Sequence, residues 1–342
     1  MPEPPQSKEV ALWDLQLISC AIFWRTAFTL GHWLAPKKKP AQFAGLPIEI
    51  VIGDVTNVSG FAPHLHGVEV LFHTAAYFRE SFEGGSHRDE LFRVNVEGTR
   101  DLLSHAYSAG VRRFVHTSSG AVLAGKPGQL IDETMSRPVD EASDYPRSKI
   151  QADQEVAAFL RNHPDASGCT VLPGWMFGPG DIGPTSSGQL ILDFLHSKLP
   201  GIPPAEFTVV DTRDVAEAHV VAALQGRRGE RYLMAGRCME MAELFAVLEE
   251  TTGVPAPARN IPIAFLYGFA AVNEAWHFLS KSRLRICLRC HAWHSPLEPC
   301  RLKHLGNQRR VGVARANGAC HSVVAHLVIY RRAEQDDASG AD

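Results

Sequence analysis

The chain has 342 residues, enough for one large α/β domain with an appended lobe or for two modest domains. A hydrophobic content of 45% supplies an ample core, and a formal net charge of −3 gives no electrostatic reason to expect nucleic acid or an anionic membrane as partner. Seven cysteines, odd in number and unevenly spaced, argue against a secreted disulfide framework and for a reducing, cytoplasmic setting.

Residues 1–45 are irregular, with a Pro-rich start and the Lys37-Lys38-Lys39 run. Leu15 to Trp24 is apolar but too short to span a bilayer, and Lys8, Glu9, Asp14 and Arg25 flank it, so no membrane anchor is expected. From residue 46 to about 280, short β-like runs alternate with helical stretches. Ile48 to Ile52 reads as a strand ending at Gly53-Asp54. Val70 to His73 reads as a second, stopped by Thr74-Ala75-Ala76. A helix is expected from about Glu90 to Ala109, with Leu91, Val94, Leu102, Leu103 and Ala106 near one face. Arg113 to Thr117 is a third strand, a helix follows from about Tyr145 to Leu160, and Cys169 to Leu172 is a fourth strand ending at Pro173-Gly174. Strands separated by helical crossovers predict a parallel, doubly wound sheet whose ligands sit beyond the carboxyl ends of the strands.

Residues 283–332 form a third regime, with ten Arg and Lys against a single acid, Glu298. Cys287, Cys290, His291, His294, Cys300 and His304 are zinc-type ligands, but their spacing fits no standard four-ligand pattern, so no metal site is expected. Aromatic residues are sparse there and no RNA-binding motif is present, so no nucleic acid partner is expected either.

Tyr145-Pro146-Arg147-Ser148-Lys149 sets a phenol and an ammonium four residues apart, on one helix face. The ammonium favours the ionised phenol, which unaided titrates near pH 10, and so equips it as a general acid/base. Taken alone, the pair reads equally as a solvated helix face. Thr117-Ser118-Ser119 closes a predicted strand upstream, where a hydroxyl can donate to a substrate oxygen or simply cap a loop. Ser, Tyr and Lys together form a proton-relay set suited to hydride chemistry.

In chain order, Gly53-Asp54, His73-Thr74-Ala75-Ala76, Asn95-Val96-Glu97-Gly98-Thr99, Thr117-Ser118-Ser119, Tyr145 with Lys149, and the run from Leu172 to Asp181 resemble the motifs of the extended short-chain dehydrogenase/reductases. Within them the chain looks most like the dihydroflavonol-reductase-like and sugar-epimerase-like enzymes. Val210 to Ala216 resembles their Asp-x-Arg-Asp-Val-Ala signature, and Glu230 to Gly236 their closing strand. The resemblance implies an α/β fold: a Rossmann-like doubly wound parallel sheet over residues 46–180 and a small substrate-binding lobe over 181–280. An atypical N-terminal segment (1–45) and an atypical basic Cys/His tail (281–342) would flank them. It also implies NADP or NAD as cofactor and a small carbonyl or alcohol as substrate, and leaves room for a homodimer.

Roles carry over by position. Asp54, beside Val55, would accept a hydrogen bond from the adenine amine. Thr74, Ala75 and Ala76 would let the dinucleotide backbone approach, and Asn95 would support that site from its helix. Thr117 and Ser118 would adjoin the cofactor, and Ser119 would bind the reacting oxygen. Tyr145 would transfer the proton, while Lys149 would hold the nicotinamide ribose and tune Tyr145. Pro173, Gly174 and Met176 would line the nicotinamide pocket. Tyr77, Phe78, Arg79, Trp175, Phe177 and the loop from Gly183 to Gly188 fall where substrate enters, and such aromatics suit an aromatic or alicyclic carbonyl better than a nucleotide sugar. Plainer roles stay open: Asp54 as a turn residue, the alanines as packing, Asn95 as a helix-surface amide, the aromatics as core.

The family's opening strand and Gly-x-x-Gly-x-x-Gly turn, where backbone N–H groups meet the pyrophosphate, look missing or altered; before Gly45 the chain has only Gly31. Back-translating Ile18 to Ala35 with permitted codons and dropping two nucleotides gives, as one allowed reading, LVRNLLADGFHVRALAR. That string resembles the family's first helix and second strand, with an arginine suited to a 2′-phosphate. A displaced reading frame is therefore one hypothesis for this segment and for the tail. Three functions follow: a ketone/alcohol oxidoreductase, a nucleotide-sugar epimerase or dehydratase, or a chain impaired in cofactor binding.

Overall fold

The computed structural model describes residues 51–78, 88–126, 129–178 and 185–265, with the backbone of short strands at 9–12, 32–35, 49–52 and 301–302. The strands are β1 (Glu9–Leu12), β2 (His32–Ala35), β3 (Glu49–Ile52), β4 (Val68–His73), β5 (Arg113–Thr117), β6 (Leu130–Ile131), β7 (Ser167–Pro173), β8 (Trp175–Phe177), β9 (Glu206–Asp211), β10 (Arg231–Met234), β11 (Arg237–Glu240) and β12 (Arg301–Leu302). The helices are α1 (Arg88–Leu91), α2 (Gly98–Ser108), α3 (Asp144–Asn162), α4 (Ser186–Leu195), α5 (Thr212–Gln225) and α6 (Met241–Thr252). A π-helical turn, Phe92–Glu97, joins α1 to α2, so the expected helix is continuous but locally widened around Asn95.

Among the described residues, seven strands form one parallel sheet in the order β3-β2-β1-β4-β5-β7-β10. The chain reverses its winding between β1 and β4, the switch point at which such sheets bind ligands. Of the two alternatives for the first strand, missing or altered, the structure has the second: a short strand without its glycine turn. Glu9–Leu12 pairs with β4 on one side and β2 on the other, so the N-terminal segment supplies two members of the sheet. The sequence signal was faint because β1 is four residues long and lacks the glycine turn that marks its kind. The segment between β1 and β2, the tail beyond 265 other than 301–302, and the loop at 179–184 lie outside the described residues, as do the zinc-type ligands named above.

Alternation along the strands sorts the core. Leu71 and Phe114 face α2 and α3, where they pack with Leu102, Leu103, Val156 and Phe159. Each Leu fully buried there contributes about 2 kcal/mol. On the opposite side of the same strands, Phe72 and Thr117 face α5, and both meet His219. A second, three-stranded sheet, β8-β9-β11, carries the lobe. Its core joins Phe177, Phe194, Met241, Leu244 and Phe245.

Candidate active site

The end of β5 organises the site. His116 and Ser118 point to the α3 side, Thr117 points to α5, and Ser119 leaves the strand as the cap of a short 3-10 turn. Helix α3 starts at Asp144 after an extended Ser143, and Pro146 falls in the first turn, where a missing N–H costs little. This places Tyr145 in that turn and Lys149 one turn further along.

Lys149 is 2% exposed, and its Nζ donates to the Thr117 carbonyl at 2.7 Å. That bond ties α3 to the strand end two residues before Ser119. The Phe78 ring stands edge-on to the Tyr145 ring, with centroids 4.7 Å apart. Asn95 is not the surface amide the plain reading allowed but a buried bridge. Its Oδ1 accepts from Tyr77 N at 2.7 Å, and its Nδ2 donates to Ser148 Oγ at 2.9 Å. Ser148 Oγ in turn donates to the Tyr145 carbonyl at 2.8 Å. The loop after β4, the π-turn and the first turns of α3 are thus one hydrogen-bonded unit.

Behind this unit lies a buried polar layer. Ser118 Oγ donates to Asp153 Oδ2 at 2.9 Å. His116 Nε2 approaches Asp153 Oδ1 at 3.4 Å, which falls short of a hydrogen bond. His73 Nε2 and Thr99 Oγ1 are 2.7 Å apart. Burial holds His73 well below the usual imidazole range, with His116 and Lys149 adding to the effect. Burial also lowers His116; Asp153 opposes that and Lys149 reinforces it. Across the sheet, Thr117 Oγ1 lies 2.7 Å from His219 Nε2. His219 Nδ1 bonds the Val215 carbonyl at 2.7 Å and so carries the proton, which leaves Nε2 to accept from the threonine. Sequence reading missed Ser148, Asp153, His73, His116 and His219. The one signal available was that Asp153 follows Lys149 by four residues, as Lys149 follows Tyr145.

The remaining expected residues divide. Thr74 is buried, Ala75 half-buried and Ala76 exposed at the carboxyl end of β4. Asp54 is exposed at the end of β3, and its Oδ1 caps the next turn by accepting from Thr56 N and Thr56 Oγ1, each at 2.8 Å. The Val55 side chain is buried and packs under Gly98, so only its backbone remains for a ligand. Pro173 ends β7, buried, while Met176 is half-buried on β8. Gly174 answers to a protein neighbour: a Cβ there would come within 2.4 Å of Thr208 Oγ1. Trp175 is half-buried against Phe207, with ring centroids 4.8 Å apart. The expectation that Phe177 lines the substrate pocket is corrected: it is 1% exposed and belongs to the core of the lobe. Alternation on β8 turns it inward, while Met176 takes the other side. Arg79 and residues 179–184 lie outside the described residues, and Thr185 caps α4.

The residues fit a dinucleotide in part. The small Ala75-Ala76 step, the buried Lys149, Thr117 to Ser119 and the Asp54 carboxylate all stand at carboxyl ends flanking the β1/β4 switch point. The pyrophosphate portion would fall after β1, where the sequence lacks its glycines.

Comparison with known proteins agrees with this arrangement. The model of the NAD dependent epimerase/dehydratase family matches residues 29–235. Sterol demethylase protein B of Methylococcus capsulatus is 37% identical over 235 residues, covering 68% of this chain and 70% of the relative. A Synechocystis protein named for dihydroflavonol 4-reductase is 35% identical over 242 residues, covering 69% of each. The crystal structure of gox2253 superposes with a TM-score of 0.79 at 27% identity, covering 96% of this chain and 98% of that one. Among the described residues, no helix is long and apolar enough to cross a membrane. The chain belongs to the NAD-dependent epimerase/dehydratase family, within the extended short-chain dehydrogenase/reductases, whose members are NAD(P)-dependent enzymes.

Proposed function

We propose that this protein interconverts a ketone and a secondary alcohol, with Tyr145 as the proton-transferring group. The observation that carries this reading is the Lys149 ammonium held on the Thr117 carbonyl. It brings the Tyr–Lys face of α3 to the strand end that bears Ser119. When bound, the nicotinamide group supplies or removes a hydride at the reacting carbon. Tyr145 then gives its Oη proton to the carbonyl oxygen, or takes it back in the reverse direction. Ser119 Oγ donates to the same oxygen and fixes its position. Lys149 favours the phenolate electrostatically and offers its ammonium to ribose hydroxyls. The Phe78 ring edge limits how the phenol can turn.

The substrate class follows from Tyr77 and Phe78, both half-buried, which adjoin Asn95 and the Tyr145 ring. They favour an apolar aromatic or alicyclic carbonyl, in keeping with the sterol and flavonoid names of the relatives above. Tyr145→Phe is expected to lower turnover at least about 100-fold while leaving cofactor affinity unchanged. Retained turnover overturns the role given to Tyr145. The family model supports a second reading, a nucleotide-sugar epimerase or dehydratase. Turnover of nucleotide sugars but not of hydrophobic ketones would establish it.

A further inference from the structure

The segment that leaves Ser119 opens with the 3-10 turn Gly120–Val122, which Ser119 caps by accepting from Ala121 N at 3.2 Å. A hydroxyl that accepts there still has its own proton to give, and the turn sets the direction in which it points. So short a turn is marginal by itself. Its internal bonds run from Val122 N to Ser119 O at 3.2 Å and from Leu123 N to Gly120 O at 3.1 Å, which leaves the next three carbonyls to find donors elsewhere. All three find them on Arg137. The Arg137 backbone N–H donates to Val122 O at 2.8 Å, its Nε to Ala121 O at 3.1 Å and its Nη2 to Leu123 O at 3.4 Å. From the other side, Val122 and Leu123 are each 1% exposed and pack in one core with Ile131, Ala142 and Ile150.

We infer that Arg137 is a positioning residue: by bonding three successive carbonyls it fixes the turn that aims the Ser119 hydroxyl at the reacting oxygen. This rests on the role given to Ser119 above. The planar fork of a guanidinium can bond two carbonyls at once, whereas an ammonium is a compact point donor and spans the two poorly. Pro138 disfavours a helical backbone at Arg137, which lets the residue run alongside the turn. The same segment is tied down from two further directions. Arg147 Nε of α3 donates to Val139 O at 3.1 Å, and the Arg231 guanidinium of β10 donates to the carbonyls of Glu133 and Met135. Of these three arginines, Arg137 is bonded to the turn that carries Ser119.

Hydrogen–deuterium exchange of the full chain tests the clamp without requiring turnover. In Arg137→Met, the Ala121, Val122 and Leu123 amides should exchange about tenfold faster or more, while the amides of α2 and α6 keep their wild-type rates. Unchanged exchange at 121–123 overturns the inference, and so does a uniform acceleration along the chain, which marks general destabilisation. Turnover then tests the aim of the hydroxyl. Arg137→Met should lower kcat about tenfold with KM little changed, and Arg137→Lys should recover part of the loss. In a chain already carrying Ser119→Ala, Arg137→Met should take nothing further from the residual kcat, because no hydroxyl is left to aim. An equal loss in both backgrounds overturns the positioning role. If Arg137→Met does not fold, Arg137→Lys should show the same exchange pattern and the same dependence on Ser119 at smaller amplitude. Retained turnover in Ser119→Ala would sink the role given to Ser119, and exchange would still decide whether Arg137 holds the turn. A large loss in Ser119→Ala beside unchanged exchange in Arg137→Met would sink this inference alone.

Discussion

His219 is buried on α5 with both ring nitrogens engaged, and burial pushes its pKa down to about 4. Its folded pKa therefore lies below the unfolded value, and the unfolded chain takes up the proton first as pH falls. That difference removes stability through the window from 6.5 down to about 4. Asp214 works the other way: burial raises it to about 6, so it stabilises slightly as pH falls toward its unfolded value. His219→Gln keeps an acceptor for Thr117 but cannot titrate. Urea unfolding at pH 7 and pH 5 should show wild type losing about 2 kcal/mol more than this variant over that interval. Equal losses would mean the imidazole is not neutral in the folded chain. At this scale the sequence was legible where a pattern is local. Tyr145 and Lys149 announce themselves by spacing, whereas Asn95, His116 and His219 acquire their roles from partners on other elements, up to 102 residues away for the His219–Thr117 pair.

The elements were legible in proportion to their length and periodicity. Arg113 to Thr117 is found as expected, and α3 extends past the expected helix by one residue at its start and two at its end. β8 misled because Trp175, Met176 and Phe177 look alike in one dimension, and only the neighbouring β9 decides which side becomes core. The passage from the large sheet to the small one turns on Gly236, between β10 and β11, with φ of +68°. A Cβ there would stand 1.9 Å from the Val209 carbonyl oxygen of β9, a backbone atom that cannot step aside. Gly236→Ala is expected to cost about 2–4 kcal/mol, from left-handed strain and overpacking together. A denaturation midpoint close to wild type would show that the two sheets can shift against each other.

Over the whole molecule, the parallel sheet and the switch point follow from the alternation of strand and helix signals, and the matched family region ends one residue beyond β10. The N-terminal strands were less visible, since a strand of four residues carries little periodicity of its own. β2 occupies the stretch that the displaced reading assigns to a second strand. A chain rebuilt with LVRNLLADGFHVRALAR in place of residues 18–35 should bind NADPH at least about tenfold more tightly than the chain as it stands, through an added arginine facing the 2′-phosphate. Equal affinities by fluorescence titration would retire the displaced-frame hypothesis. So would a genomic sequence whose codons forbid that reading.

β7 owes its interior setting to a late arrival, since β10 is drawn from some 60 residues downstream to lie beside it. Six of the seven residues of β7 are buried, and its backbone takes part in ladders on both flanks. A protein terminated before Arg231 would present that apolar ribbon with one row of N–H and C=O groups unpaired, an open template for another copy. Such a truncation should sediment as aggregates rather than as a smaller monomer, so the last of the seven strands in chain order also keeps their sheet from growing between molecules.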